Sequence, residues 1–107
     1  MKRGDICRVV FPGAYGKARP AVIVQADMIK QPNSVTFLPL TDEIVYDQTL
    51  RITINPDSGN GLQSTSQVRI NGINTVPRKR VGEKIGYLSP ADMTVVTRAL
   101  AVFLGFA

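Results

Sequence analysis

Arg19-Pro20-Ala21-Val22-Ile23-Val24, followed after a polar gap by Phe37-Leu38-Pro39-Leu40-Thr41, sets a guanidinium just before one apolar strand and a hydroxyl at the end of the next. If these strands pair antiparallel, the two side chains meet at one end of a sheet. A planar guanidinium donates paired hydrogen bonds to phosphate oxygens, and a Thr can position an oxygen beside it. The chemistry that suits such a pair is work on a phosphodiester. The plain alternative is a surface Arg and a Thr that caps a turn. Further on, Gln67 to Ile73 reads as a strand with Val68, Ile70 and Gly72 on one face, so Arg69 and Asn71 share the other as a polar patch.

The absences narrow the chemistry. The chain has no His, the commonest general acid/base and metal ligand. One Cys and no His exclude an ordinary structural zinc site. Neither a Walker phosphate loop nor a dinucleotide fingerprint is present. The carboxylates are scattered with no spacing for a hydrolytic dyad or a magnesium cage, and Asp42-Glu43 reads as a solvated loop. Cleavage of RNA survives this list, because the substrate brings its own nucleophile, the ribose 2′-OH. An enzyme need only align that hydroxyl, stabilise the extra charge on phosphate and handle two protons. DNA lacks the hydroxyl and would be refused.

The size and balance of the chain set the frame. Its 107 residues suit one domain, residues 1–107, since domains of about 100–150 residues are the commonest. With 44% hydrophobic and 20% charged residues the composition is that of a globular protein. No apolar run approaches the ~20 residues of a membrane span, and the start, Met1-Lys2-Arg3-Gly4-Asp5, has no apolar stretch like that of a signal peptide. A lone Cys7 makes no internal disulfide, which fits a reducing, cytoplasmic setting. The formal charge of +5 is uneven. Lys2, Arg3, Arg8, Lys17 and Arg19 lie early, and Arg69, Arg78, Lys79, Arg80 and Lys84 lie late. Such a field attracts polyanions, either nucleic acid or an acidic protein tail.

Short strands and one helix must position these groups. Ile6 to Phe11 reads as a strand closed by Pro12-Gly13, and residues 12–18 as a mobile loop. Ala21 to Ala26 is a nearly continuous apolar run, as in a strand buried on both faces. Pro32-Asn33-Ser34 signals a turn, Val35 to Leu40 a strand, and Leu50 to Ile54 a half-buried strand. Asn55 to Gly61 is a strong turn cluster. Ser89-Pro90-Ala91-Asp92 opens a helix with an N-cap Ser and a Pro at its first position. Met93, Val96, Leu100, Phe103 and Leu104 form its apolar face, and Gly105 ends it. The expectation is a mainly β protein with a C-terminal α-helix, built as a small, strongly bent antiparallel barrel.

Several motifs in order also resemble the MazF/PemK toxin family. They are Arg3-Gly4-Asp5-Ile6, Arg19 to Val24, Pro39-Leu40-Thr41, Gly61-Leu62 with Ser66-Gln67-Val68-Arg69, Thr75 to Gly82, and the helix from Leu88-Ser89 to Leu104-Gly105. The resemblance implies an SH3-like barrel of the CcdB/MazF/PemK toxin fold and a homodimer. It further implies a sequence-specific endoribonuclease that cuts single-stranded mRNA without metal or other cofactor, held inactive by an acidic antitoxin. Arg19 and Thr41 match the family's catalytic Arg and Thr, and Arg69 matches the second Arg of the Kid/PemK branch. Ser66, Asn71, Lys17, Tyr15, Arg78, Lys79 and Arg80 are the expected substrate-binding residues; Tyr15 and Phe11 have faces on which bases can stack, but core or loop-anchor roles suit them better. Two departures stand out. Asn71 replaces that branch's Asp and cannot act as a general base, and the first loop has no His. Gln25-Ala26-Asp27-Met28-Ile29 with Pro32 and Pro39-Leu40 also resembles the gyrase poison CcdB, which binds DNA gyrase and cuts nothing. That relative ends Trp-Gly-Ile, whereas this chain ends Leu104-Gly105-Phe106-Ala107.

Overall fold

The computed structural model describes residues 1–12, 16–29, 33–47 and 49–107. Within them the chain forms seven strands and one α-helix. The strands are β1 (Asp5–Val9), β2 (Arg19–Ile23), β3 (Ser34–Thr41), β4 (Arg51–Ile54), β5 (Ser66–Arg69), β6 (Asn74–Pro77) and β7 (Val81–Tyr87), and the helix is α1 (Pro90–Phe103). The strands run in the order β4-β5-β3-β2-β1-β7, and β6 also pairs with β3. All pairings are antiparallel. β3 bends the sheet by changing partners along its length: Ser34–Phe37 pair with β6, Phe37–Pro39 with β2, and Leu40–Thr41 with β5.

The apolar run in β2 is buried on both faces, as its continuity predicts. Val22 and Val24 join Ile6, Leu38, Leu40, Ile54, Val68, Ile70, Leu88 and Val96 in one core. Ala21 and Ile23 face the opposite way, into a second core with Cys7, Val9, Val35, Phe37 and Val76. Side chains alternate along a strand, so one short segment serves both cores. Arg19 has the parity of Ala21 and Ile23, and Thr41 that of Phe37. Both polar groups therefore continue the face that carries the second core.

The helix forms where its caps predict. Ser89 Oγ accepts the Asp92 N–H at 3.1 Å, and Pro90 occupies the first turn. Gly105 follows the helix at φ +83, a left-handed conformation that suits a helix end. Val96 is fully buried, and Met93, Ala99 and Leu100 pack on the first core. The outer part of the expected stripe is not covered: Phe103 and Leu104 remain 43% and 44% exposed.

Two expectations need correction. The strand expected over Gln67 to Ile73 stops at Arg69, and Ile70–Gly72 form a 3-10 turn instead. A Cβ at Gly72 would stand 2.9 Å from Pro39 Cγ, so the chain turns where a glycine can lie against the proline ring. Asn71 is consequently exposed and does not share a strand face with Arg69. The basic segment, expected to bind substrate but given no secondary structure, carries elements on both sides: β6 ends at Pro77, Arg78–Arg80 form a 3-10 turn, and β7 begins at Val81. Of the expected loop over residues 12–18 and the turn at Pro32-Asn33-Ser34, residues 13–15 and Pro32 lie outside the described residues.

Cys7 is only 2% exposed, and burial pushes its thiol up, with the nearby Asp5 charge adding to the shift. The folded chain keeps this proton where an unfolded chain would lose it. The associated stability is complete below the ordinary thiol pKa and declines as pH rises past it. Native protein at pH 8 should resist alkylation by iodoacetamide, whereas protein in denaturant should react within minutes; equal rates would contradict the burial.

Candidate active site

An open cleft of about 620 Å³ is lined by residues of both cores, with Leu40, Leu62 and Ile85 from the first and Phe11 from the second. Arg19 and Thr41 both line it. The β2–β3 register runs Ile23 to Phe37, Val22 to Leu38 and Ala21 to Pro39, and Arg19 and Thr41 lie two residues beyond its last pair. The antiparallel pairing of the two strands expected from the sequence is made, and both side chains reach the same cleft. Arg69 and Ser66 line the same cleft from β5. Phe11 lines it too, with its ring centroid 5.3 Å from that of buried Phe37, so this aromatic anchors the second core while closing the cleft floor.

The hydroxyls are used in specific ways. Thr41 Oγ1 accepts the Glu43 N–H at 3.1 Å, which fixes the turn after β3. The turn-capping role therefore holds, yet it leaves the hydroxyl proton free to donate to a phosphate oxygen. Ser66 is buried and donates to the Ser64 carbonyl at 3.0 Å, so it retains lone pairs but not its proton for a ligand. Among the described residues the ion pairs are Arg8–Glu83 and Lys84–Asp5; neither Arg19 nor Arg69 has a carboxylate partner. Both guanidinium groups stand ready for an anion.

The cleft contains groups that the sequence reading passed over. Arg8, Arg51, Gln63 and Ser64 line it, as do Asp42 and Glu43. The acidic pair is exposed, as a solvated loop should be, but it sits on the cleft wall. Gln67, buried behind the wall, holds this loop. Its Nε2 donates to the Val45 carbonyl at 3.0 Å, and its Oε1 accepts the Val45 N–H at 3.1 Å and Arg51 Nη1 at 3.2 Å. A buried amide with donor and acceptor both satisfied is a rigid brace.

The opposite wall is the turn cluster. Asn60 is fully buried; its Nδ2 donates to the Asn55 carbonyl at 2.9 Å and its Oδ1 accepts the Leu62 N–H at 3.0 Å. Asp57 Oδ1 accepts the N–H groups of Gly59 and Asn60, each at 2.8 Å. Gly61, at φ +69, then lies directly on the Ile85 carbonyl of β7.

Other expected residues stand apart. Asn71, Lys17, Arg78, Lys79 and Arg80 are exposed and do not line the cleft. Asn71 is displaced by the 3-10 turn, while the basic triplet caps the β6–β7 connection. Tyr15 lies outside the described residues. Among the described residues no three His, Cys, Asp or Glu side chains come together to hold a metal ion.

Comparison with known proteins bears on this cleft. The chain matches the family described as PemK-like, MazF-like toxin of type II toxin–antitoxin system over residues 2–104. It is 42% identical over 108 residues to a probable endoribonuclease MazF of Mycolicibacterium smegmatis (strain ATCC 700084 / mc(2)155), covering 100% of this chain and 99% of that protein. Its fold is similar to that of Mycobacterium tuberculosis toxin MazF-mt6, with a TM-score of 0.80 at 24% identity over 96% of this chain and 98% of that one. It is similar also to an endoribonuclease in complex with its cognate antitoxin from a mycobacterial species, with a TM-score of 0.77 at 24% identity over 100% and 95% of the two chains.

Proposed function

The chain belongs to the PemK/MazF family of type II toxins, and from that premise we propose that its cleft cuts single-stranded mRNA by in-line attack of the ribose 2′-OH. The observation that carries this reading is the convergence of Arg19, Thr41 and Arg69 on one open cleft, with no carboxylate partner among the described residues. Arg19 and Arg69 hold the scissile phosphate and neutralise its added charge as the transition state forms. Preorganised donors of this kind can each be worth about 3–4 kcal/mol. Thr41, fixed by the Glu43 N–H, donates its hydroxyl to a phosphate oxygen. The 2′-oxygen bonds to phosphorus and the bond to the 5′-oxygen breaks, giving a 2′,3′-cyclic phosphate and a 5′-hydroxyl. Asp42 or Glu43 accepts the 2′-OH proton, and the departing oxygen takes a proton from water or a guanidinium. Asn71 has no part in this step. Lys17, Arg78, Lys79 and Arg80 attract the RNA backbone beyond the cleft, without sequence preference.

Partners and cellular setting follow from the same premise. The chain pairs with an acidic antitoxin and acts in the cytoplasm as one domain; the mycobacterial endoribonuclease of similar fold is in complex with its cognate antitoxin. No helix among the described residues is long and apolar enough to cross a membrane. A homodimer covers the apolar side chains left exposed on and after α1: Val95, Val102, Phe103, Leu104 and Phe106. The family match and the 42% identical relative favour the nuclease over the gyrase poison.

Purified protein incubated with single-stranded RNA in EDTA should cut it and should leave gyrase–DNA complexes untrapped. Trapped gyrase with every RNA intact would reverse the reading.

A further inference from the structure

The cleft's cationic row is longer than one phosphate needs. Arg19, Thr41, Arg69 and Arg51 come from β2, β3, β5 and β4, four strands that are consecutive neighbours in the sheet. Neighbouring strands lie about 4.8 Å apart, so the row crosses roughly 14 Å of sheet, three such steps. At its far end the β4–β5 register sets Arg51 directly opposite Arg69. Opposed residues on an antiparallel pair share a face, and like charges so placed repel. No carboxylate among the described residues forms an ion pair with either guanidinium, although Asp47, held below its ordinary range chiefly by the Leu50 and Thr49 N–H groups, also feels the Arg51 charge. Glu43, the acid beside Arg51, offers its backbone carbonyl instead, accepting Arg51 Nη1 at 3.1 Å, and Gln67 Oε1 accepts the same nitrogen at 3.2 Å. One nitrogen of Arg51 is thereby spent on holding the guanidinium still. Its other nitrogens make no hydrogen bond among the described residues.

We propose that Arg51 and Arg69 form a two-guanidinium clamp for a second RNA phosphate, with Arg69 bridging that phosphate and the scissile one it holds with Arg19 and Thr41. This inference rests on the nuclease reading. An anion between the two guanidinium groups converts their repulsion into two charge-assisted contacts. The clamp fixes the strand's direction across the sheet, and with it which ribose presents its 2′-OH to Arg19. Arg51 is a binding residue in this scheme, so its loss falls on KM more than on kcat.

The test uses a labelled single-stranded oligonucleotide with 2′-fluoro riboses, which removes the nucleophile, and follows binding by anisotropy across a salt series. Arg51→Gln keeps a polar side chain but removes the charge and the reach to the Glu43 carbonyl. It should weaken binding about tenfold, and reduce the slope of log K against log[salt] by about 0.7, one single-strand phosphate contact. Arg51→Lys should restore most of the slope. In parallel, titration of the wild type with inorganic phosphate should shift the side-chain Nε–Hε resonances of Arg51 and Arg69 together, a readout that needs no variant. A wild type that cuts RNA while Arg51→Gln keeps its full slope, or while phosphate shifts Arg69 alone, overturns the clamp and leaves the nuclease standing. A wild type that neither binds nor cuts RNA overturns both.

Discussion

Arg19→Ala should lower kcat for cleavage of single-stranded RNA by roughly 10²–10³-fold, the usual loss when one preorganised donor to a developing charge is removed. Arg19 is exposed, has no carboxylate partner among the described residues, and lines the same cleft as Thr41. Its truncation opens no core cavity and leaves no buried partner unsatisfied, so stability should change by no more than about 0.5 kcal/mol. That separation is the useful part of the experiment. A merely structural Arg would give the reverse: a shifted melting temperature with the rate per folded molecule preserved. Arg19→Lys should fall between, because an ammonium keeps the charge and loses the planar fork. Steady-state cleavage of a fluorogenic RNA, with thermal melts of each variant, reads both quantities.

Gly61→Ala should be the most damaging small substitution in the cleft wall, costing about 3 kcal/mol or more. Two independent terms contribute. At φ +69 an L side chain adds about 1–2 kcal/mol of backbone strain. The new Cβ would also collide with the Ile85 carbonyl, a backbone atom that a rotamer change cannot move. Relieving such overpacking costs about 1–3 kcal/mol. Gly86 faces the same junction from β7, where a Cβ would strike the backbone of Asn60. The two glycines thus let the 59–62 turn lie flat on β7. In a chain of this size a loss of 3 kcal/mol should lower the melting temperature by more than about 10 °C. Gly105→Ala is the natural control. It shares a positive φ but meets nothing within 4 Å, so its cost should be the strain term alone. Equal melting temperatures for the two variants would contradict the packing argument.

The parts of the fold that could be read from the sequence are those where one local rule decides. The apolar run of β2 declares burial on both faces because neither parity holds a charge. Ser89-Pro90 declares the helix start, and Asn55 to Gly61 declares a turn. Parity alone then carries Arg19 and Thr41 to one face. The parts that could not be read depend on long-range contacts. The 3-10 turn at Ile70–Gly72 exists because Gly72 meets Pro39, a residue on another strand. β7 has a weak alternation, two glycines and a register with β1 broken by irregularities, so its pattern does not announce a strand. Arg51 and Gln67 look like ordinary polar positions on short strands. Only the β4–β5 and β3–β5 registers show that one faces Arg69 and the other braces the acidic loop. Asp42 and Glu43 are exposed, as an isolated acidic dipeptide suggests. Their place on the cleft wall comes from the bend of β3 between its two sets of partners.

The central claim is that the cleft of Arg19, Thr41 and Arg69 acts on a phosphodiester whose nucleophile is the substrate's own 2′-OH. The most direct measurement takes an RNA that the wild type cuts at one mapped bond and replaces the single ribose before that bond with 2′-deoxyribose. Cleavage there should cease while the oligonucleotide still competes for binding, and the parent RNA, cut in EDTA, should carry a 2′,3′-cyclic phosphate. Continued cleavage at the deoxy position, or a plain 3′-hydroxyl on the parent fragment, would contradict it.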